Sequence, residues 1–363
     1  MVKRVRWTTL LIFSFCLSMT LSACGSGGGA SAPAAANEGK PSSSTTGTSQ
    51  GAAAQEIKIQ LATTEPNDHN VTSGAAKFKE LIEQMSNGRI KVELFPNLQL
   101  GSLREQVEMT QMGSIQITTS PLSTVSAFAG DLAVLELPFL FDNEQQMWNI
   151  LDGDVGDLVL SALEGTGLKG IGIWGGGYKQ ITSGKKPITS PADLEGLKIR
   201  VIPSDALIAQ YKSWGANPIP IDFSELYTAL QQGTVDAQEN PTTTILSKKL
   251  YEVQTYLSIT NHAYQYHIFM ANEKWFDSLS EEDRRLIEEA ESEARVFSRE
   301  MQMQQEETNV NVLEAQGMKI NTLTPEAVEQ FREKSASLYS QIANTEGKKA
   351  ILEAIQSAVK AAK

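Results

Sequence analysis

The chain predicts an α/β protein folded as two lobes, and three features carry that prediction. Short runs that alternate apolar and polar residues recur along its length, as half-buried strands do. Between them lie stretches with apolar residues at every third or fourth position, the period of an amphipathic helix. About 300 residues follow position 55, enough for a large core and typically for more than one lobe. Strands alternating with helices imply parallel sheets, in which ligands sit at the carboxyl ends of the strands.

The N-terminus comes first. Lys3, Arg4 and Arg6 form a short basic region, and residues 7–19 are mostly apolar and uncharged. Leu21-Ser22-Ala23-Cys24 follows, completing the order of a secretory signal over residues 1–23. The apolar run is too short to span a hydrocarbon core of about 30 Å comfortably. The tetrapeptide resembles a bacterial lipobox, which makes Cys24 the lipidated residue of an extracytoplasmic protein, held on the outer face of the cell membrane or in a periplasm. Residues 24–55 are dominated by Gly, Ala, Ser, Thr and Pro and have no apolar face to bury, so they read as a flexible tether with a reach of roughly 30 Å. Cys16 and Cys24 are the only cysteines, so the body has no disulfide, thiol nucleophile or cysteine metal site.

The chain has 43 acidic and 31 basic residues and a net charge of -12, which loss of the three signal cations takes to about -15. A body this acidic excludes nucleic acid as a partner. An anionic ligand must be held by a few local cations rather than by the overall field.

Residues 56–63 alternate like a strand, and Ala75, Phe78, Leu81, Ile82 and Met85 mark the helix after it. Residues 89–95 are strand-like again. Ser102 and Glu105 form a capping box opening a helix that Gly113 closes, and a third strand covers 115–119. Ser190-Pro191 starts a short helical turn, and 197–202 form a strand. Asp222 and Glu225 cap a helix stopped by Gly233; 235–238 is a short strand, and Asn240-Pro241 opens a further helix. Residues 280–314 are nearly free of Gly and Pro. They make either one helix of roughly 50 Å or two meeting at a kink.

Two motifs fail their context. Gly170-Ile171-Gly172-Ile173-Trp174-Gly175 matches a dinucleotide fingerprint, but more glycine and a turn-rich stretch follow where a helix must open, so it reads as a strand ending in a flexible glycine run. Gly47-Thr48-Ser49-Gln50-Gly51 matches a nucleophile elbow but lies in the tether. His69, His262 and His267 lack HExxH spacing. No cofactor and no metal are expected.

Polar residues at strand ends remain. Arg200 interrupts the apolar Ile199-Val201-Ile202, where a guanidinium is costly unless paired. It is either a bidentate fork for a ligand carboxylate or half of a salt bridge on an edge strand. Asn240 is a helix N-cap, a ligand contact beside helical amides, or both. Lys179, after the glycine run, reads by pattern as a solvated loop cation.

Five segments then match one family in order: Ser86-Asn87-Gly88-Arg89-Ile90, Leu98-Gln99-Leu100-Gly101, Leu137-Pro138-Phe139-Leu140-Phe141, the stretch Asp193-Leu194-Glu195-Gly196-Leu197-Lys198-Ile199-Arg200-Val201, and Val235-Asp236-Ala237-Gln238-Glu239-Asn240-Pro241. From about position 56 to beyond 317 the chain resembles the substrate-binding subunit of a tripartite ATP-independent periplasmic (TRAP) transporter, the DctP-like group. The resemblance implies that Arg200 binds the ligand carboxylate and Asn240 is a second contact. Phe223 is similar to a pocket-wall residue, Asn70 to a polar position in the first strand–helix loop, and His267 is counted with them as a ligand-binding candidate. Lys179 stands where many members carry a second arginine, and Pro121 where sialic-acid binders carry a glutamate. Both departures disfavour sialic acid and leave dicarboxylates, sugar acids and keto acids.

The implied fold is the two-lobed periplasmic-binding-protein type, with a hinge and a long lobe-spanning helix. Lobe I takes 56–176 plus about 265–305, and lobe II 177–264 plus about 306–363. The implied function is extracytoplasmic capture of a small organic anion and its delivery to TRAP membrane subunits. A ligand sensor for a signalling partner is the alternative, and an extracytoplasmic enzyme is disfavoured by the missing catalytic constellation.

Overall fold

The computed structural model describes residues 56–362. The signal, Cys24, the tether and the Gly47–Gly51 motif lie outside the described residues.

In chain order the elements are β1 (Ile57–Thr63), α1 (Asn70–Met85), β2 (Ile90–Phe95), α2 (Leu103–Gln111), β3 (Ile117–Pro121), α3 (Leu122–Val125), α4 (Glu144–Leu151), α5 (Asp154–Ser161) and β4 (Leu168–Tyr178). There follow β5 (Gln180–Ser183), β6 (Lys198–Val201), α6 (Asp205–Ser213), β7 (Asn217–Pro220), α7 (Leu226–Gln231), β8 (Ala237–Asn240), α8 (Thr242–Ser247) and β9 (Tyr256–Ile259). The chain closes with β10 (Tyr264–Asn272), α9 (Glu273–Ser278), α10 (Glu281–Ala315), β11 (Lys319–Thr322), α11 (Pro325–Ile342) and α12 (Glu346–Ala361).

These strands make two sheets, ordered β2-β1-β3-β10-β4 and β11-β9-β5-β8-β6-β7. Purely parallel sheets were the expectation; the sheets are mixed. β10 runs antiparallel to β3 and β4, and β5 antiparallel to β8 and β9. The cause is the way the chain changes lobe. β4 passes into β5 with only Lys179 between, and β9 returns into β10 after four residues. Two extended crossings in opposite directions make a continuous antiparallel ribbon that belongs to both sheets.

The glycine run lies inside this ribbon rather than after the strand. Gly175 pairs with Tyr266 and Gly177 with Gln265, with a bulge between. A Cβ on Gly175 would meet the Tyr264 hydroxyl at 2.7 Å and Trp148 at 2.8 Å. Glycine is required there by close packing.

Alternation along β10 sends Ile268 and Met270 to one core and Phe269 and Ala271 to another, so the first sheet is covered on both faces. The second lobe has its own core around Ile199, Tyr211, Trp214 and Phe331. The breaker-free stretch forms one uninterrupted helix, α10 (Glu281–Ala315), with Ser280 as its N-cap, its hydroxyl accepting from the Asp283 amide at 3.1 Å. Its 35 residues span about 52 Å. The C-terminal helix α12 departs from the expected division of the lobes: Ile351, Leu352 and Ile355 join the core that holds Leu132, Met147 and Val159 of the first lobe. The amphipathic face of α12 finds its apolar partner there.

Candidate functional site

The site grows from the carboxyl ends of the parallel strands, where the two lobes face each other. After β1 the chain turns through Glu65, and the Thr72 hydroxyl donates to the Glu65 carbonyl at 2.8 Å, fixing the turn. His69 caps α1: its Nδ1 accepts from the Val71 amide at 3.2 Å. That leaves Nε2 to donate across the cleft to the Thr244 hydroxyl of α8, at 3.1 Å. Burial, and then His267 nearby, lowers the His69 pKa well below the usual imidazole range, so it is a neutral donor. Lys248 reaches back from the second lobe to Asn97 at 2.9 Å. Glu136 accepts from Ser126 at 2.8 Å and from Ser204, the N-cap of α6, at 2.7 Å, which makes a third tie between lobes.

Arg200 lies on β6, an interior strand between β8 and β7, and is fully buried. This removes the edge-strand salt bridge: no carboxylate of the described residues pairs with it. Nε donates to the Ile221 carbonyl at 2.9 Å, while Nη2 has no partner among the described residues. Its guanidinium stands 5.7 Å from the Phe223 ring centroid, and Lys248 approaches the same ring at 4.8 Å. Burial lowers the Arg200 pKa to about 10, with Glu239, Asp222 and Glu65 opposing, so the charge is kept at neutral pH.

Asn240 ends β8 and is not an N-cap. Pro241 precedes α8, no side chain caps that helix, and the Asn240 amide donates instead to Gln238. Gln238 in turn donates to Thr182 at 2.9 Å. Asn70 is the first residue of α1; its Nδ2 donates to the Gly175 carbonyl at 2.7 Å and to Ser298 at 3.1 Å, and its Oδ1 has no partner among the described residues. On β10, both ring nitrogens of His267 are buried without a partner among the described residues. Burial and then Lys179 push its pKa down to about 3. Its ring centroid is 6.2 Å from that of His69.

Lys179 departs from expectation. It is buried, not solvated, and its ammonium pairs with Glu239 at 2.8 Å. Glu239 also accepts from Tyr211 at 3.0 Å and from His262 Nε2 at 3.0 Å. Burial alone would raise the Glu239 pKa; Lys179 and His262 outweigh it and hold the carboxyl at about 2. The second site cation of the sequence reading is thus committed to a neighbouring carboxylate.

Sequence reasoning missed Glu65, His69, Lys248 and the Glu239 network. Glu65 stood two residues past the end of the first strand, where the strand-end rule points. Burial pushes its carboxyl up to about 7, against the pull of Lys248 and Arg200, and its Oε2 has no partner among the described residues. A raised carboxyl pKa means the native state holds the proton more tightly than the unfolded chain. Stability from Glu65 is therefore present below about pH 4.5 and lost as pH rises through about 7, by about 3 kcal/mol. Urea unfolding of wild type and Glu65→Gln from pH 4.5 to 8.5 should show the difference between them changing by that amount. A constant difference would mean that Glu65 titrates normally.

The family model for DctP, bacterial extracellular solute-binding protein family 7, matches residues 61–346. The chain belongs to this family. It is accordingly an extracytoplasmic solute-binding protein. Among its relatives, the 2,3-diketo-L-gulonate-binding periplasmic protein YiaO of Escherichia coli is 34% identical, over 74% of this chain and 82% of that protein. The C4-dicarboxylate-binding periplasmic protein DctP of Rhodobacter capsulatus is 32% identical, over 86% and 92%. Among solved structures, the sugar acid binding protein of Advenella mimigardefordensis in complex with galactonate superposes with a TM-score of 0.80 at 33% identity, covering 84% of this chain and 99% of that one. A TRAP periplasmic solute-binding protein of Polaromonas bound to D-erythronate gives 0.79 at 32% identity, over 83% and 99%. The two-sheet α/β architecture is that of these family 7 proteins.

Proposed function

We propose that the protein captures a small organic acid between its lobes, holds the ligand carboxylate on Arg200, and delivers it to the membrane subunits of a TRAP transporter. The buried Nη2 of Arg200, without a partner among the described residues, carries this reading. A buried cation is costly until an anion pairs with it, and a guanidinium fork fits a carboxylate through two parallel hydrogen bonds. Phe223 stands beside Arg200, and Asn240, Asn70 and His267 are proposed as further ligand contacts, while Lys179 acts through Glu239. Relatives named for galactonate, D-erythronate and diketogulonate, all carboxylates, support the reading. The test is a thermal-shift screen of the purified domain against organic acids. A true ligand at one hundred times its Kd adds about 2.7 kcal/mol of apparent stability. A library in which no carboxylate shifts the transition would overturn the proposal.

Closure is expected to bend the β4–β5 and β9–β10 crossings, since these are the strands that pass between sheets. Small-angle scattering should show a smaller radius of gyration with saturating ligand; an unchanged radius argues against a hinge there. Cys24 is proposed as the lipid anchor, since it alone follows a lipobox-like tripeptide. Cys24→Ala should move the protein from the membrane fraction to the soluble fraction. Retention in the membrane would place the anchor elsewhere.

A further inference from the structure

We propose that a cavity on the far side of the lobe-crossing ribbon from the cleft is a second binding site, and that it takes a small aromatic carboxylate.

Alternation along β10 separates the two places. His267 lies beside His69 on the cleft side, while its neighbour Tyr266, together with Tyr264, lines the cavity. The cavity holds about 410 Å³, inside the range of about 300–1,000 Å³ in which small-molecule pockets fall. Both lobes wall it: Phe139, Phe141 and Met147 on one side, Ile259, Leu323 and Val328 on the other. Along the ribbon Tyr178, Tyr264 and Tyr266 stand in a row, with neighbouring ring centroids 5.2 Å apart. An aromatic guest gains ring–ring contacts there beyond the burial of its own surface. Phe139 is held at φ 57°, a left-handed backbone that a large side chain rarely adopts. Its amide donates to the carbonyl of His262, another wall residue, at 2.8 Å. Strained backbone of this kind collects at ligand clamps.

Hydrogen-bond polarity sets the head group. The acceptors that line the cavity are already supplied. Glu144 accepts from Tyr264 at 2.8 Å and Trp148 at 3.2 Å, Asp142 from Gln146 at 3.4 Å, and Asn261 from Gln180 at 2.6 Å. Both ring nitrogens of His262 are engaged, by Thr260 and Glu239. The donors are not supplied. The buried Tyr266 hydroxyl has only the Met147 thioether, at 3.0 Å, and a thioether is a weak acceptor. The half-buried Tyr178 hydroxyl has no hydrogen-bond partner among the described residues. Arg332 lies 4.7 Å from the Phe139 ring centroid and makes no ion pair with a described residue. Two hydroxyls and a guanidinium in want of acceptors match a carboxylate on an apolar body. An amine is the competing chemistry, since Asp142 and Glu144 are present, but it would leave all three donors unmet.

The test is calorimetry on the purified protein carrying Arg200→Met, in which the cleft has lost its carboxylate anchor. The probes are 2-naphthoate, the neutral 2-naphthamide and the cationic 2-naphthylmethylamine. We expect 2-naphthoate to bind with a stoichiometry of one, at least ~10-fold more tightly than either of the others. Val328→Trp in the same background, which fills the cavity from α11, should abolish that binding. Arg332→Glu, which only reverses a charge on an exposed side chain, should weaken it at least ~5-fold and keeps the test alive if Val328→Trp fails to fold. If the amine binds as tightly as the acid, the carboxylate class is wrong. If 2-naphthoate does not bind, or binds unchanged in both cavity variants, there is no site here. If it binds wild type but not Arg200→Met, it occupies the cleft: the inference falls while carboxylate capture by Arg200 stands.

Discussion

Arg200→Ala should weaken binding of the cognate acid at least ~30-fold. Removing one partner of a buried, hydrogen-bonded charge pair typically costs ~2–5 kcal/mol, and each 1.4 kcal/mol is tenfold. Arg200→Lys should also bind poorly. An ammonium keeps the charge but loses the planar fork, and on an interior strand it cannot relax toward solvent. The same residue should act with opposite sign on stability. Without a carboxylate the guanidinium is a desolvated cation whose pKa burial has already lowered to about 10. Arg200→Met, which keeps an apolar stem of similar length, should leave the ligand-free domain as stable as wild type or more so, as replacing buried charges by apolar groups often does. Calorimetry gives the affinities and urea unfolding the stabilities. Near-wild-type affinity in Arg200→Lys would show that charge alone suffices, and a large loss of ligand-free stability in Arg200→Met would show that the guanidinium is structural.

Arg200 was legible because a charge inside an apolar strand has few explanations. The α10 helix was legible because 35 residues without a breaker leave little choice, with Ser280 and three acidic residues in the first turn marking its start. Other features depend on pairings that local sequence does not encode. β10 reads as a strand in either direction, and its antiparallel partners β3 and β4 lie about a hundred residues or more away. The glycine run read as a flexible end to its strand because glycine signals freedom; the side chains of Tyr264 and Trp148 that occupy the space beside Gly175 come from distant elements. α12 carries an apolar face, but only the tertiary structure decides that the first lobe receives it. In the Gln238-Glu239-Asn240-Pro241 stretch, attention to Asn240 hid the neighbour. On a strand, adjacent residues point to opposite faces. Asn240 therefore joins Gln238 and Thr182 on one side, and Glu239 meets Lys179, Tyr211 and His262 on the other.

That Lys179–Glu239 pair should be the most sensitive ionic element of the fold. Both side chains are almost completely buried at the point where β4 passes into β5, so either charge left alone has no access to water. Lys179→Met should destabilise the domain by ~3–5 kcal/mol, the usual cost of stripping one partner from a buried pair. Tyr211 and His262 would still donate to Glu239, but both are neutral donors, and His262 is kept neutral by burial. Lys179→Met with Glu239→Gln should recover most of the loss, because an amide still accepts from Tyr211 and His262 and carries no charge. The acid limb gives a second readout. With its pKa held at about 2, Glu239 contributes stability that is present above about pH 4.5 and lost as pH falls toward 2. The double variant should lack that part of the acid unfolding. Lys179→Arg should destabilise too, since a larger planar group must enter a packed site, at about 1–3 kcal/mol. Urea unfolding of the single and double variants at pH 7 and pH 3 measures the coupling as a double-mutant cycle. If the two substitutions simply add, the pair is not a unit, and Lys179 is free to serve the ligand directly.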